Sequence, residues 1–183
     1  MAEEKIKTTE IKLETFFDQM LSIIGKITDQ QIADILIHDN LTIAVAESLT
    51  GGMISSRLSS PPGASEYFIG SAVCYHNRIK IMEANVPPAV ISKFGPVSRE
   101  TAVAMAEGIR QRFKTNLGLS ATGAAGPDPL LRAQPGTVFI AFSNEKGTQA
   151  KELHLNGSRS EIRENAAQTA LGFLWLNLGG KIN

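Results

Sequence analysis

The sequence contains a single cysteine, Cys74, so it cannot form an internal disulfide. Because this cysteine lies in an apolar segment, we expect an inert buried thiol. The sequence also lacks any run near the ~18 apolar residues that span a bilayer. Its first ten residues are charged and carry no apolar secretory core. These absences predict a cytoplasmic protein that does not enter a membrane.

Neither sign of charge is in excess, since 18 Lys and Arg residues balance 18 Asp and Glu residues. This balance disfavours nucleic-acid binding through a broad basic face, although it allows a local anion site. The nucleoside-triphosphate loop Gly-x-x-x-x-Gly-Lys-Ser/Thr is absent. No metal-ligand spacing relates Cys74 to the three histidines, His38, His76 and His154. We therefore predict no metal, no other cofactor and no nucleic-acid partner.

With 43% hydrophobic residues in 183, the chain has the composition of one globular domain with a short appendage. We assign residues 1–30 to an N-terminal helical extension and residues 31–183 to the main domain. Apolar spacing in the extension predicts two helices, the second capped by Thr28 or Asp29. Such an extension packs on the main domain or on a neighbouring subunit, and a homodimer is compatible with it.

Strand and helix patterns alternate after residue 40. Strands are predicted at 41–46, 67–75, 117–121, 137–143 and 148–155, the last two joined by a hairpin turn. Helices are predicted at 52–59, 79–83, 88–94 and 99–113, with a last helix from Ser160. The alternation predicts an α/β fold, a three-layer α/β/α sandwich with a mixed, mostly parallel sheet. It does not determine the order of the strands.

The first candidate site is the turn at 46–52, between a strand and a helix. Ser48 stands at the carboxyl end of the strand, where α/β sheets usually bind ligands. The glycines of Thr50-Gly51-Gly52 let backbone amides approach a ligand, and the helix start adds a positive dipole end. The turn can hold a phosphate or form an oxyanion hole for a serine nucleophile. A capping serine in a tight glycine turn explains the same residues.

Three further candidates follow other elements. A serine nucleophile needs a base, and Lys80 can serve if burial or a nearby cation keeps it neutral; Tyr75 lies beside it in sequence. The small-residue turn at 121–127 brings the backbone close to a ligand. Arg159 and Arg163, one helical turn apart, can both reach an anion. The alternatives are a solvated lysine with a rim tyrosine, a simple turn, and solvated arginines.

Four segments, in order, resemble the C-terminal domain of the competence/damage-inducible protein CinA. They are Ala-Glu-Ser-Leu-Thr-Gly-Gly from residue 46, Tyr-His-Asn-Arg-Ile-Lys from 75, Ala-Thr-Gly-Ala-Ala-Gly-Pro from 121 and Gly-Ser-Arg-Ser-Glu-Ile-Arg from 157. The resemblance covers roughly residues 30 to 178. Stand-alone members of that family are nicotinamide-nucleotide amidases, which share a three-layer sandwich with a mixed sheet.

The resemblance implies metal-independent hydrolysis of nicotinamide mononucleotide (NMN) to nicotinic acid mononucleotide and ammonia. It places the nucleophile at Ser48 and its catalytic partners at Tyr75 and Lys80. We expect Lys80 to take the proton of Ser48, either directly or by way of Tyr75, and the amides of residues 50–52 to stabilise the oxyanion. The predicted substrate-binding residues are Glu47, Thr50, Gly51, Gly52, Thr122, Gly123, Ala125, Gly126, Arg159 and Arg163.

Two departures from the family pattern fall near these residues. Leu49 stands where the family usually has cysteine, and Asp128-Pro129-Leu130-Leu131 replaces a glycine-rich continuation. Two other functions stay open. One is a binding module with little activity, linked to competence or DNA damage, although retention of the serine, tyrosine and lysine argues against it. The other is hydrolysis of a different pyridine nucleotide or small amide.

Overall fold

The computed structural model describes residues 27–131 and 133–180, so the helix predicted before residue 27 lies outside the described residues. The strands are β1 Ile43–Glu47, β2 Phe68–Val73, β3 Leu117–Gly123, β4 Thr137–Asn144 and β5 Gly147–His154. The α-helices are α1 Asp29–His38, α2 Met53–Leu58, α3 Asn77–Glu83, α4 Pro88–Phe94, α5 Arg99–Phe113 and α6 Arg159–Asn177. No helix among these residues is long and apolar enough to cross a bilayer.

The five strands form one sheet in the order β2-β1-β3-β4-β5. The β2–β1 and β1–β3 pairings are parallel, whereas β3–β4 and β4–β5 are antiparallel. The predicted mixed sheet is confirmed, and β4 alone runs against the other strands. The carboxyl ends of β1, β2 and β3 therefore meet at the same edge of the sheet.

Helices cover both faces of the sheet, which confirms the three-layer sandwich. Helices α1, α2 and α6 pack on one face around a large apolar core, and α3, α4 and α5 cover the other face. Helix α5 approaches β3 so closely that a Cβ at Gly118 would lie 2.1 Å from the Ala106 carbonyl oxygen. Small residues in β3 thus allow the helix to lie directly on the central strands.

Local capping fixes the helices that border the site. Ser98 accepts a hydrogen bond from the Thr101 amide and starts α5 where the sequence predicts. Helix α6 begins one residue before the predicted Ser160, because Ser158 and Glu161 form a reciprocal capping box.

The predicted cap of α1 at Thr28 is confirmed, with Gln31 completing its capping box. Helix α1 itself begins at Asp29, so the boundary predicted after residue 30 falls inside it. The division into two units stays a prediction.

Candidate active site

Ser48 and Lys80 are in direct contact. Ser48 follows β1, and its amide donates to the Ala121 carbonyl of β3 at 2.9 Å, which fixes the serine at the sheet edge. Lys80 reaches it from α3. The Lys80 Nζ atom lies 2.6 Å from Ser48 Oγ and 2.8 Å from the carbonyl oxygen of Cys74. The fold thus brings together two predicted catalytic residues that are 32 positions apart.

The environment of Lys80 favours its neutral form. Its side chain is buried, with 1% relative exposure, and forms no ion pair within the described residues. Desolvation lowers its pKa from 10.5 to about 8. A neutral amine can donate to the Cys74 carbonyl and accept the Ser48 proton with its lone pair. Burial also raises the pKa of the Cys74 thiol to about 11, so the expected buried thiol stays protonated.

The Glu47 carboxylate holds the turn that carries Ser48. It is fully buried and accepts hydrogen bonds from the amides of Gly52 (2.9 Å), Ile54 (3.2 Å) and Ser55 (2.9 Å), and from the Ser55 hydroxyl. Gly52 precedes α2 with φ +102° and offers no side-chain cap, so Glu47 satisfies these helix amides instead. The carboxylate does not line the pocket, which corrects the predicted substrate contact.

Replacing Glu47 by glutamine is expected to lower the free energy of unfolding by about 2–4 kcal/mol, because an amide NH₂ would face buried N–H donors. Urea denaturation monitored by circular dichroism measures the change. Glu145→Gln, in the exposed β4–β5 turn, is the matched control and should change stability by less than about 0.5 kcal/mol. Equal stability of the two variants would contradict this role.

The amides available to an oxyanion differ from those predicted. The Gly52 amide donates to Glu47, and the Gly51 amide donates to the Ser48 carbonyl at 3.2 Å. The amides of Leu49 and Thr50 have no acceptor among the described residues. Of these two residues Leu49 lines the pocket, whereas Thr50 is fully buried, so the Leu49 N–H is the candidate for an oxyanion hole. The sequence pointed to this turn by a serine followed by glycines, but the glycine amides are already occupied.

Arg163 also contacts the turn rather than the pocket. Its Nε atom donates to the Leu49 carbonyl at 2.8 Å, and Nη2 lies 3.5 Å from the Thr50 carbonyl oxygen. The predicted site residues that do not line the pocket are Glu47, Thr50, Gly51, Gly52 and Arg163.

A pocket of about 570 Å³ opens over Ser48. The predicted residues that line it are Ser48, Tyr75, Lys80, Thr122, Gly123, Ala125, Gly126 and Arg159. Sequence reasoning missed Pro96 and Val97, which lie between α4 and α5 and also line it. Thr122 holds this segment by donating to the Pro96 carbonyl at 2.8 Å. Pro96 and Val97 bear no polar side chain that could have indicated a site in the sequence.

Arg159 joins two walls of the pocket. Its Nη1 atom donates to the Gly126 carbonyl and its Nη2 to the Tyr75 hydroxyl, both at 2.7 Å. Tyr75 is 60% exposed, and no hydrogen bond joins it to Ser48 or Lys80 within the described residues. Of the two routes expected for the proton, the contacts fit the direct one, because Lys80 contacts Ser48 without an intermediary.

The segment that departs from the family pattern, residues 128–131, forms part of the same wall. Asp128 supplies the only carboxylate among the described lining residues. Across the described ranges, no group of three or more His, Cys, Asp or Glu side chains is placed to hold a metal ion.

Fold and site together define an α/β protein with a buried serine–lysine pair at the carboxyl edge of a mixed sheet. The sequence profile of the CinA C-terminal domain matches residues 26–178. The chain belongs to the CinA C-terminal domain family.

Relatives and solved structures agree with this assignment. The chain is 46% identical over 147 residues to a CinA-like protein of Dictyoglomus thermophilum, covering 80% of this chain and 36% of that protein. It is 39% identical over 155 residues to a putative competence-damage inducible protein of Desulforudis audaxviator, covering 84% and 38%. The chain thus spans little more than a third of the length of these relatives.

Two crystal structures share the fold closely. The competence or damage-inducible protein of Enterobacter asburiae has a TM-score of 0.79 at 26% identity, covering 82% of this chain and 95% of that chain. The competence/damage inducible protein CihA of Agrobacterium tumefaciens has a TM-score of 0.74 at 30% identity, covering 88% and 94%.

Proposed function

We propose that the protein hydrolyses the carboxamide of NMN, releasing nicotinic acid mononucleotide and ammonia. The observation that carries the proposal is the 2.6 Å contact between Ser48 Oγ and the buried Lys80 Nζ. A serine hydroxyl becomes a nucleophile when an adjacent base accepts its proton, and burial supplies that base here. The family resemblance of the four motifs supports the substrate.

The reaction begins when neutral Lys80 accepts the proton of Ser48 as Oγ attacks the carboxamide carbon. The Leu49 amide stabilises the negative oxygen of the tetrahedral intermediate. Protonated Lys80 then gives its proton to the leaving nitrogen. Ammonia departs from the tetrahedral intermediate, and the acyl group remains on Ser48 as an ester. Water, deprotonated by Lys80, hydrolyses the ester and restores Ser48. The positively charged pyridinium ring assists by withdrawing electrons from the carbonyl.

The pocket suits a mononucleotide in size and charge. Its volume of about 570 Å³ lies within the usual range for small-molecule sites. Arg159 supplies a guanidinium, which binds phosphate by charge-assisted hydrogen bonds. Asp128 offers a carboxylate to the cationic ring. We assign the phosphate to Arg159, which lines the pocket, rather than to Arg163, whose donors contact the Ser48 turn.

Arg159→Met is expected to raise KM for NMN about 10- to 100-fold, because a charge-assisted contact to the phosphate is lost. We expect kcat to fall less than about threefold. Steady-state ammonia release measures both constants. Nicotinamide riboside, which lacks the phosphate, is the matched control substrate, and its KM should not change. An equal rise for both substrates would contradict phosphate binding by Arg159.

Activity should rise with pH through about 8, because only deprotonated Lys80 can accept the serine proton and its pKa is lowered to about 8. Below that pH, kcat/KM should fall about tenfold per unit. Ammonia release between pH 6 and 10 gives the profile. A profile that is flat or falls across this range would rule out neutral Lys80 as the base.

The proposal is tested by ammonia release from NMN, nicotinamide riboside and nicotinamide, each with a chelator present. Chelator-resistant release that is fastest from NMN supports it. Faster release from another amide would keep the chemistry and change the substrate. No release from any of them by the folded protein would favour the binding module instead.

A further inference from the structure

Arg163 contacts the backbone of the Ser48 turn from the second turn of α6. Its partners are carbonyl oxygens of Leu49 and Thr50, and it forms no ion pair with a carboxylate of the described residues. Gly51 leaves room for it, since a Cβ at that position would lie 3.2 Å from Arg163 Nη2. The turn and the guanidinium therefore fit each other closely.

The hydrogen bond from Arg163 to the Leu49 carbonyl also fixes the orientation of the next amide. The Leu49 carbonyl and the Thr50 N–H belong to one planar trans peptide unit, so they point in opposite directions. Arg163 Nε, at 2.8 Å from that carbonyl, thus sets the direction of the Thr50 N–H. That N–H has no acceptor among the described residues, and its peptide unit is the one next to the unit that carries the Leu49 N–H.

The second contact of Arg163, to the Thr50 carbonyl, is linked to the Leu49 N–H through a further hydrogen bond of the turn. Arg163 Nη2 lies 3.5 Å from the Thr50 carbonyl oxygen, whose peptide carries the Gly51 N–H. The Gly51 N–H donates to the Ser48 carbonyl, and that peptide in turn carries the unpaired Leu49 N–H. Leu49 lines the pocket. Arg163 therefore contacts the Leu49 carbonyl directly and is linked to the peptide unit of the Leu49 N–H through the Gly51–Ser48 hydrogen bond.

The charge of Arg163 adds to this effect. A cation at the carbonyl end of a peptide polarises it and strengthens its N–H as a donor, most of all away from bulk water. The contribution grows when negative charge develops on the substrate oxygen, so it favours the transition state over the bound substrate.

We propose that Arg163 is a positioning residue, which holds Leu49 and its neighbouring peptide units so that the Leu49 amide faces the oxyanion. The proposal rests on the proposed serine amidase chemistry. It replaces the substrate contact expected from the sequence with a role in kcat rather than in binding.

Arg163→Met is expected to lower kcat for NMN about 100-fold and to leave KM within about threefold of wild type. Arg163→Lys keeps the positive charge but loses the paired donors of the guanidinium. Its kcat should therefore lie between those of wild type and Arg163→Met. A KM rise with unchanged kcat would overturn the proposal, since it would show a substrate contact.

Arg57→Met is the matched control. Arg57 joins Asp29 at 2.6 Å and also Gln168 of α6, so its loss disturbs the same helix layer without touching the turn. Its variant should lose stability and keep kcat. If Arg163→Met resembles Arg57→Met in kcat at matched unfolding midpoints, the role assigned to Arg163 is wrong. Should Arg163→Met fail to fold, the kcat of folded Arg163→Lys decides by the same comparison.

A fluorophosphonate tests the inference without NMN. Ser48 Oγ forms a bond to phosphorus, the P–F bond breaks with loss of fluoride, and the serine proton passes to Lys80. Because the phosphoryl oxygen takes the oxyanion position, labelling of Arg163→Met should be slowed about 100-fold. If wild type is labelled yet does not hydrolyse NMN, the proposed substrate fails while the labelling ratio still decides on Arg163. Wild type inert to both reagents would overturn both proposals.

Discussion

Replacing Ser48 by alanine is expected to lower ammonia release from NMN by a factor on the order of 10³ or more, with unchanged folding. The methyl group leaves the turn intact but removes the atom that forms the ester. Since Lys80 would then face no hydroxyl, water is the only remaining nucleophile, and it lacks the fixed position of Oγ.

The measurement combines steady-state rates with mass spectrometry of acid-quenched enzyme, which should detect an acyl group on Ser48 in wild type alone. Ser56→Ala, an exposed serine of α2, is the matched control and should keep full activity. Activity that survives in Ser48→Ala but not in another variant of the pocket would move the nucleophile elsewhere.

Replacing Lys80 by methionine is expected to reduce kcat by a factor on the order of 10³ and at the same time to stabilise the fold. The burial of Lys80 underlies both effects, because it makes the amine a base and makes its charged form costly. Burial lowers the pKa of Lys80 to about 8, so keeping its charge in the folded protein at pH 7 costs roughly 3 kcal/mol. An apolar side chain of similar length avoids this cost, and we expect a gain of about 1–3 kcal/mol.

The stability difference between wild type and Lys80→Met should also depend on pH, because the pKa of Lys80 differs between the folded and unfolded states. Between pH 8 and 10.5, unfolded Lys80 binds a proton that the folded form has released, so wild-type stability rises with pH. The advantage of Lys80→Met should be full below pH 8 and should shrink across that window. Lys146→Met, exposed in the β4–β5 turn, controls for the loss of a lysine and should show no such trend. A destabilised Lys80→Met would indicate that the lysine is structural.

Local patterns predicted most of the elements. Helix α5 begins and ends as expected because Ser98 is a strong cap, and the two-residue hairpin turn joins β4 and β5 where the sequence places it. The start of α6 was misplaced because Ser158 and Ser160 are both acceptable caps, and only Ser158 completes a box with Glu161. Strand order was not predictable, because it depends on pairings between distant segments.

The candidate site was predictable in part as a set of residues, but not as an arrangement. Ser48, Lys80 and Arg159 stood out by residue type and by position after strands or at a helix start. The contacts of Glu47 and Arg163 depend on which amides and carbonyls the turn leaves unpaired. That pairing is decided by the helix packing in three dimensions, and no spacing in the sequence encodes it.

Helix α6, the last element of the chain, determines when during synthesis the candidate site can be completed. Arg163 holds the Ser48 turn across a separation of 114 residues, and Arg159 closes the pocket against Tyr75 across 84. A growing chain that has formed β1 and α3 already holds its serine and lysine, yet it lacks the arginines that contact Tyr75 and the Ser48 turn. Contacts of such long range form late in folding. Enzymatic competence should therefore appear only once α6 docks, and nascent chains stalled before residue 159 should remain inactive.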